Sequence, residues 1–247
     1  MKEKKRRVFI LSFLWGLGIL IIACVLPQSG AAQEEEEDIY IRLRETMVQK
    51  QIKARGIDDP RLLRAIREVP RHLFVPPQQR RFAYGDYPLP IGENQTISQP
   101  YIVALMTDLL DIRTGDKVLE VGTGSGYQAA VLAEITDEVY SIEIIPALAR
   151  EASQKLKKLG YEEVQVKIGD GYQGWEKYAP YDGIIVTAAA KEIPPPLFEQ
   201  LKEGGKLVLP LGDPRGFQTL TVVAKKDGKK KIRRLSGVRF VPLTRKK

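Results

Sequence analysis

The chain has 247 residues, of which 43% are hydrophobic and 28% are charged, and this composition is typical of a globular protein with one large or two small domains. Its single cysteine, Cys24, and single histidine, His72, exclude an internal disulfide and a multi-histidine metal site. The net charge of +8 is uneven, because residues 225–247 hold eleven basic residues and one aspartate. We interpret this basic end as a solvated β-hairpin face, and we expect no nucleic-acid partner.

The N-terminal part has the pattern of a secretory signal or a membrane anchor. Residues 8–26 are almost continuously apolar and follow a basic stretch, so membrane attachment through them is an alternative. Three outcomes are open: cleavage, retention as one helix, or lipidation at Cys24. We predict this segment to span residues 1–33, followed by an acidic linker over residues 34–38 and one domain over residues 39–247.

Helical spacing over residues 41–55 predicts a helix that stops at Gly56, and Asp59 and Pro60 predict the start of a second helix, to about Val69. From residue 117 onward, short apolar runs alternate with amphipathic segments. The predicted strands are residues 118–121, 139–142, 164–168, 183–187 and 207–210, and the predicted helices are residues 127–133, 146–159 and about 196–201. This alternation predicts an α/β fold with a doubly wound, mainly parallel sheet, closed by an antiparallel pair over residues 219–224 and 232–241.

A glycine-rich loop joins the first predicted strand of the sheet to the helix that follows. Its glycines are Gly122, Gly124 and Gly126. Ligands bind at this position in open α/β sheets, and glycines allow the backbone to approach them closely. A dinucleotide fingerprint needs a glycine at residue 127, where this chain has Tyr127, so the spacing favours a ligand without a pyrophosphate.

Acidic residues stand at the ends of successive predicted strands. Glu120 precedes the loop, and Glu143 closes the next strand, where a carboxylate can accept hydrogen bonds from ribose hydroxyls. Asp170 follows the third strand between two glycines and can face an adenine amino group, although such a residue is also a common turn former. Together they predict a nucleoside-type cofactor, with S-adenosylmethionine favoured over NAD.

Several stretches resemble the protein-L-isoaspartate O-methyltransferase family, over about residues 41–244. They are residues 69–75 (VPRHLFV), 95–100 (QTISQP), 119–127, 169–171, 181–189 (YDGIIVTAA) and 238–243 (VRFVPL). The QTISQP block is more discriminating than the glycine loop, which many methyltransferases share. The resemblance implies a seven-stranded, Rossmann-like class I methyltransferase fold with an N-terminal helical extension, so that residues 39–247 form the methyltransferase domain.

The resemblance also implies an activity, the transfer of a methyl group from S-adenosylmethionine to the free carboxyl of L-isoaspartyl residues in damaged proteins, without a metal. D-aspartyl residues are a further candidate substrate. By the same match Ser98 is the active-site residue, with Thr96 and Ile97 beside it in the substrate cleft. The implied cofactor-binding residues are Glu120, Gly122, Thr123, Gly124, Gly126, Glu143, Asp170 and Gly171.

Two alternatives stand beside these expectations. A methyltransferase acting on a small molecule or RNA would share the glycine loop and the acidic residues, but would have no reason to carry the QTISQP block. Ser98 could instead cap the helix that begins at Gln99 and Pro100.

The location and the assembly are separate expectations. Because S-adenosylmethionine is made in the cytoplasm, we expect a cytoplasmic catalytic domain, with Met47 as a candidate downstream start. A membrane-anchored or periplasmic enzyme is the alternative that residues 1–33 suggest. The expected partners are proteins and peptides that contain isoaspartyl residues, and the expected assembly is a monomer.

Overall fold

The computed structural model describes residues 28–213 and 215–245. The apolar run 8–26 and Cys24 therefore lie outside the described residues, and the expectations about cleavage, lipidation and anchoring stay predictions. Within the described ranges, no helix combines the length and the apolar character needed to cross a bilayer.

The structure begins with a helix that is longer than predicted. Helix α1 spans Gln28–Met47 and continues through a π-helical turn, Val48–Ile52, and a 3-10 turn, Lys53–Arg55. Gly56 ends this run with a φ of 88°, at the predicted position. The acidic run 34–38 is exposed as expected, but it is helical and not an irregular linker. Glutamate is a good helix former, so a solvated run of glutamates is compatible with a helix.

Helix α2 (Pro60–Glu68) begins as predicted, because the Asp59 carboxylate accepts a hydrogen bond from the Arg61 amide at 2.9 Å. A short hairpin that the sequence analysis did not predict follows. Its antiparallel strands are β1 (Leu89–Gly92) and β2 (Gln95–Ile97). Helix α3 (Pro100–Leu110) then leads into the main sheet.

The elements after α3 form a seven-stranded sheet. They are β3 (Lys117–Val121), α4 (Tyr127–Ala133), β4 (Glu138–Glu143), α5 (Pro146–Lys158), β5 (Gln165–Ile168), β6 (Tyr181–Val186), α6 (Pro195–Glu199), β7 (Leu201–Gly212), β8 (Gln218–Lys226) and β9 (Lys229–Val238). The strand order is β5-β4-β3-β6-β7-β8-β9. The pairs from β5 to β7 are parallel, and β8 pairs antiparallel with both β7 and β9. The predicted mainly parallel, seven-stranded α/β fold is therefore confirmed.

The core lies on both faces of this sheet. Successive residues of β3 alternate between the two apolar clusters: Val118 packs with the cluster that includes helices α1 to α5, and Leu119 packs with the cluster that includes Leu197 of α6. At the edge, the lysines and arginines of β9 are exposed, as expected of a solvated hairpin face.

The parallel strands bring their carboxyl ends to one edge. The chain runs outward from β3 through β4 to β5 and then returns to place β6 on the other side of β3. This reversal of strand order opens a crevice above the end of β3, which is the usual ligand position in such sheets.

Candidate active site

Three adjoining pockets lie along this crevice. The inner pocket is lined by Ile97, Ser98, Glu120, Thr123 and Gln128, among others. The strand-end pocket is lined by Gln95, Gly124, Glu143, Gly171, Val241 and Leu243, among others. The outer groove is lined by Pro88, Ser98, Gln99, Phe217, Arg239 and Phe240, among others. Thr96 and Thr187 line all three pockets, which therefore form one continuous cleft.

The glycine loop takes a backbone shape that other residues would strain. Gly122 has a φ of 100°, and a Cβ atom there would lie 2.4 Å from Oγ1 of Thr187. That hydroxyl donates a hydrogen bond to the Gly122 carbonyl at 2.7 Å. Gly126 closes the loop by donating its amide to the Thr123 carbonyl at 2.8 Å, and it does not line the pockets. Thr187 thus fixes the loop against β6, a role that the sequence analysis missed.

Glu120 lies fully buried beneath the inner pocket. Its Oε2 atom accepts a hydrogen bond from the Ser141 hydroxyl, which also contacts the Thr123 hydroxyl at 2.6 Å. Its Oε1 atom has no hydrogen-bond partner among the described residues. Burial raises the pKa of Glu120 to about 8, and the nearby Glu143 adds to the shift. A buried carboxyl with one free oxygen fits a ligand that brings a positive charge and a donor into this pocket.

Glu143 is held as a fixed acceptor in the strand-end pocket. Its two oxygens accept hydrogen bonds from the amides of Gly124 and Ile145, each at 2.9 Å. Each carboxylate oxygen keeps further acceptor capacity toward the pocket. This geometry suits a ligand with hydroxyl groups, such as a ribose.

The turn after β5 forms the far wall of the strand-end pocket. Gly171 lines the pocket, and a Cβ atom there would lie 2.3 Å from Val121 Cγ1. The Asp170 carboxylate accepts a hydrogen bond from the Tyr172 amide at 3.0 Å and lies 3.9 Å from Nε of Arg245. Asp170 therefore shapes the turn, and its contact with an adenine stays a prediction.

Strand β2 and the start of α3 carry the predicted substrate residues. Thr96 is exposed, whereas Ile97 is only 4% exposed and packs into the core beside the inner pocket. The Ser98 side chain lines both the inner pocket and the outer groove, and its hydroxyl makes no hydrogen bond within the described chain. Gln99, not Ser98, occupies the N-cap position of α3, so the capping role for Ser98 is wrong. The Gln99 side chain instead donates to Asp86 Oδ1 at 2.7 Å.

The fold and the cleft together are those of a class I S-adenosylmethionine-dependent methyltransferase. A model of the protein-L-isoaspartate(D-aspartate) O-methyltransferase family matches residues 42–247. The chain belongs to this family.

Individual relatives agree with this assignment. The chain is 54% identical to the protein-L-isoaspartate O-methyltransferase of Opitutus terrae, over 92% of this chain and 98% of that protein. It is 55% identical to protein-L-isoaspartate O-methyltransferase 2 of Shewanella sediminis, over 92% and 93%. A solved Plasmodium falciparum structure named as a protein-L-isoaspartate O-methyltransferase, in complex with S-adenosyl-L-homocysteine, has a TM-score of 0.72 and 26% identity, over 82% of this chain and 99% of that chain.

These findings confirm the predicted family, the enzyme class and S-adenosylmethionine as the methyl donor, and they favour protein repair over a small-molecule or RNA substrate. The roles of the individual site residues stay predictions, as does the absence of a metal from the reaction.

Proposed function

We propose that the chain methylates the free carboxylate of L-isoaspartyl residues in damaged proteins and peptides, and that Ser98 is the residue at which donor and acceptor meet. The observation that carries this proposal is the position of Ser98. It lines the inner pocket, which adjoins the glycine loop, and also the outer groove, which is open to a peptide.

The cofactor fits the residues of the inner and strand-end pockets. Glu120 and the glycine loop would hold the methionine part, with the free Oε1 atom facing its positive charge. Glu143 would accept hydrogen bonds from the ribose hydroxyls, and Gly171 with Asp170 would hold the adenine. When bound, S-adenosylmethionine supplies an activated methyl group and leaves as a neutral thioether.

Ser98 has the donor that the acceptor carboxylate needs. A carboxylate is ionised at neutral pH and attacks directly, so the reaction requires no general base. The Ser98 hydroxyl would donate a hydrogen bond to one carboxylate oxygen and thereby direct the other toward the methyl group. Thr96 and Ile97 would form the wall on which the isoaspartyl residue rests. Such orientation can supply up to roughly 7–11 kcal/mol of the barrier.

The location and the assembly belong to the same proposal. The catalytic domain would act in the cytoplasm, where its methyl donor is made, as a monomer that meets isoaspartyl proteins through the outer groove. Attachment to a membrane would depend on residues 8–26, which precede the described part of the chain.

Methyl transfer to matched peptides tests the proposal. The full chain is incubated with labelled S-adenosylmethionine and three peptides that differ only in carrying L-isoaspartate, L-aspartate or D-aspartate at one position. We expect base-labile label on the L-isoaspartyl peptide and none on the L-aspartyl peptide, and the third peptide measures D-aspartyl activity. Cofactor binding without label on the L-isoaspartyl peptide would contradict the proposal.

A further inference from the structure

Arg71 is a fully buried arginine that touches the main chain of Ser98. It lies in the 3-10 turn Arg71–Phe74, between α2 and the β1–β2 hairpin. Its Nη2 atom donates a hydrogen bond to the Ser98 carbonyl at 2.7 Å, and its Nε atom donates to the Ala83 carbonyl at 2.7 Å. Its guanidinium carbon lies 4.9 Å from the ring centre of Tyr127, the first residue of α4. One side chain therefore connects Ser98 with the helix that follows the glycine loop.

The charge of Arg71 has no carboxylate partner within residues 28–213 and 215–245. Burial lowers the pKa of Arg71 to about 10, and the groups that oppose this shift are the tyrosines Tyr127 and Tyr84. The guanidinium is thus still cationic at neutral pH.

A buried charge without a counter-ion is costly to fold, so packing alone does not explain an arginine at this position. An apolar residue of similar length would fill the space at lower cost. What the arginine adds is two directed hydrogen bonds to carbonyls, one of them the carbonyl of Ser98, and a positive charge next to the Ser98 main chain.

We propose that Arg71 is a positioning residue for methyl transfer, which holds Ser98 at the junction of the inner pocket and the outer groove and makes that junction favourable for an anionic acceptor. The inference rests on the proposed function, in which the acceptor is a carboxylate. By also packing on Tyr127, Arg71 fixes the substrate side of the cleft relative to the glycine loop. Methyl transfer requires a fixed distance between the bound methyl donor and the bound carboxylate.

Two substitutions separate this role from a purely structural one. Arg71→Met removes the charge and both hydrogen bonds at similar length, whereas Arg71→Lys keeps the charge. Met47→Ala is the control for lost stability, because Met47 is fully buried in the apolar cluster that also holds Tyr127 and lines none of the three pockets. For each chain we would measure the melting temperature, the dissociation constant of S-adenosylmethionine, kcat and KM for the isoaspartyl peptide, and peptide binding by calorimetry in the presence of S-adenosylhomocysteine.

We expect Arg71→Met to lower kcat/KM for the peptide by about 10- to 100-fold, the effect of losing hydrogen bonds from a charged group. Peptide binding should weaken, while cofactor affinity should stay within about twofold. Arg71→Lys should lose less than Arg71→Met, because it keeps the charge. Met47→Ala should lower the melting temperature and leave kcat/KM within about twofold.

Two results would overturn the inference. Arg71→Met could lose no more kcat/KM than the Met47→Ala control, or its loss could lie entirely in cofactor affinity. If Arg71→Met does not fold, Arg71→Lys decides, since its single ammonium cannot reproduce both carbonyl bonds: unchanged kcat/KM would refute the positioning role. A wild-type chain that does not methylate the isoaspartyl peptide would contradict the proposed function itself.

Discussion

The two sides of the cleft are built in different ways. On the cofactor side, Glu143 is fixed by the amides of Gly124 and Ile145, and the glycine loop is held by main-chain groups at the strand ends together with the Thr187 hydroxyl. On the substrate side, the short segment around Ser98 is held by side chains from distant parts of the chain. Arg71 bonds to the Ser98 carbonyl, and Asp86 accepts from Gln99.

This difference suggests that the two sides can be altered independently. Changes to the backbone of the glycine loop should appear in cofactor affinity, because the acceptors there depend on the shape of the main chain. Changes to side chains on the other side should appear in peptide kcat/KM, with cofactor affinity intact. A substitution that moves both quantities equally would break this separation.

The largest effect is expected from Gly122→Ala on the cofactor side. Its Cβ atom would combine a positive φ with a 2.4 Å contact to Thr187, so we expect the dissociation constant of S-adenosylmethionine to rise on the order of 100-fold. Gly160→Ala is the matched control, because Gly160 has a φ of 91° and open space around its Cβ. The control should lose about 1–2 kcal/mol of stability through backbone strain alone and keep its cofactor affinity. Calorimetric titration and thermal unfolding measure both quantities, and equal cofactor affinities in the two variants would refute the role of the Thr187 contact.

Ser98→Ala probes the substrate side. Losing a hydrogen bond to a charged carboxylate should lower kcat/KM for the isoaspartyl peptide by about 10- to 100-fold. Cofactor affinity should be nearly unchanged, because the residues proposed to hold the cofactor, Glu120, Glu143 and the glycine loop, stay as they are. Ser153→Ala, at an exposed position of α5, is the control and should have wild-type kinetics. Full turnover by the Ser98 variant in steady-state assays would exclude the orienting role.

Separation along the chain explains which parts of the site the sequence could predict. The glycine loop, Glu120 and Glu143 follow from strand ends and local spacing, and the structure places them together around the crevice. Arg71 lies 27 residues from Ser98, and Thr187 lies 65 residues from Gly122. Both are within stretches that resemble the family, but only tertiary packing shows which carbonyl each one holds.

The short hairpin was missed for a local reason. Strand β1 contains Pro90 and Gly92, and β2 is only three residues long, so neither shows a clear strand pattern. The acidic run 34–38 was predicted as a linker and is helical. Its sequence did not distinguish the two, since exposed glutamates are common in both linkers and helices. At the hairpin, pairing between the two short strands decides the local structure, whereas in the acidic run the helix propensity of glutamate does.

Glu120→Gln tests the cofactor side of the cleft through the pH dependence of stability. In the cofactor-free protein the Glu120 pKa is raised to about 8 from 4.5, so folding favours the protonated carboxyl. The stability that the protonated Glu120 carboxyl contributes is fully present below pH 4.5 and is lost as the pH rises through 8. The glutamine variant keeps its stability over this range, because its side chain does not titrate. The free energy of unfolding of the variant, relative to wild type, should therefore increase between pH 4.5 and 8, on the order of a few kcal/mol.

The glutamine variant gains stability relative to wild type as the pH rises, but its affinity for S-adenosylmethionine should fall relative to wild type. At pH 8.5 the wild-type carboxylate is mostly ionised and attracts a cationic ligand, so the variant should bind S-adenosylmethionine about tenfold more weakly. Denaturant unfolding and calorimetric titration over this pH range check both trends. A stability difference that does not change with pH would show that Glu120 is already ionised in the folded chain.

Phe217→Ala should have the smallest effect and tests how far the substrate side extends. Phe217 is 76% exposed and lines the outer groove, where an apolar ring can cover a peptide side chain next to the isoaspartyl residue. We expect KM for a peptide with an apolar neighbour to rise about threefold, as a partly buried contact is worth less than 1 kcal/mol. Ile232→Ala removes another exposed apolar side chain, from β9 and outside the three pockets, and should leave KM unchanged. If both variants behave alike, the peptide contacts only the Ser98 end of the groove, and the difference between the two sides of the cleft is confined to the segment that Arg71 and Asp86 hold.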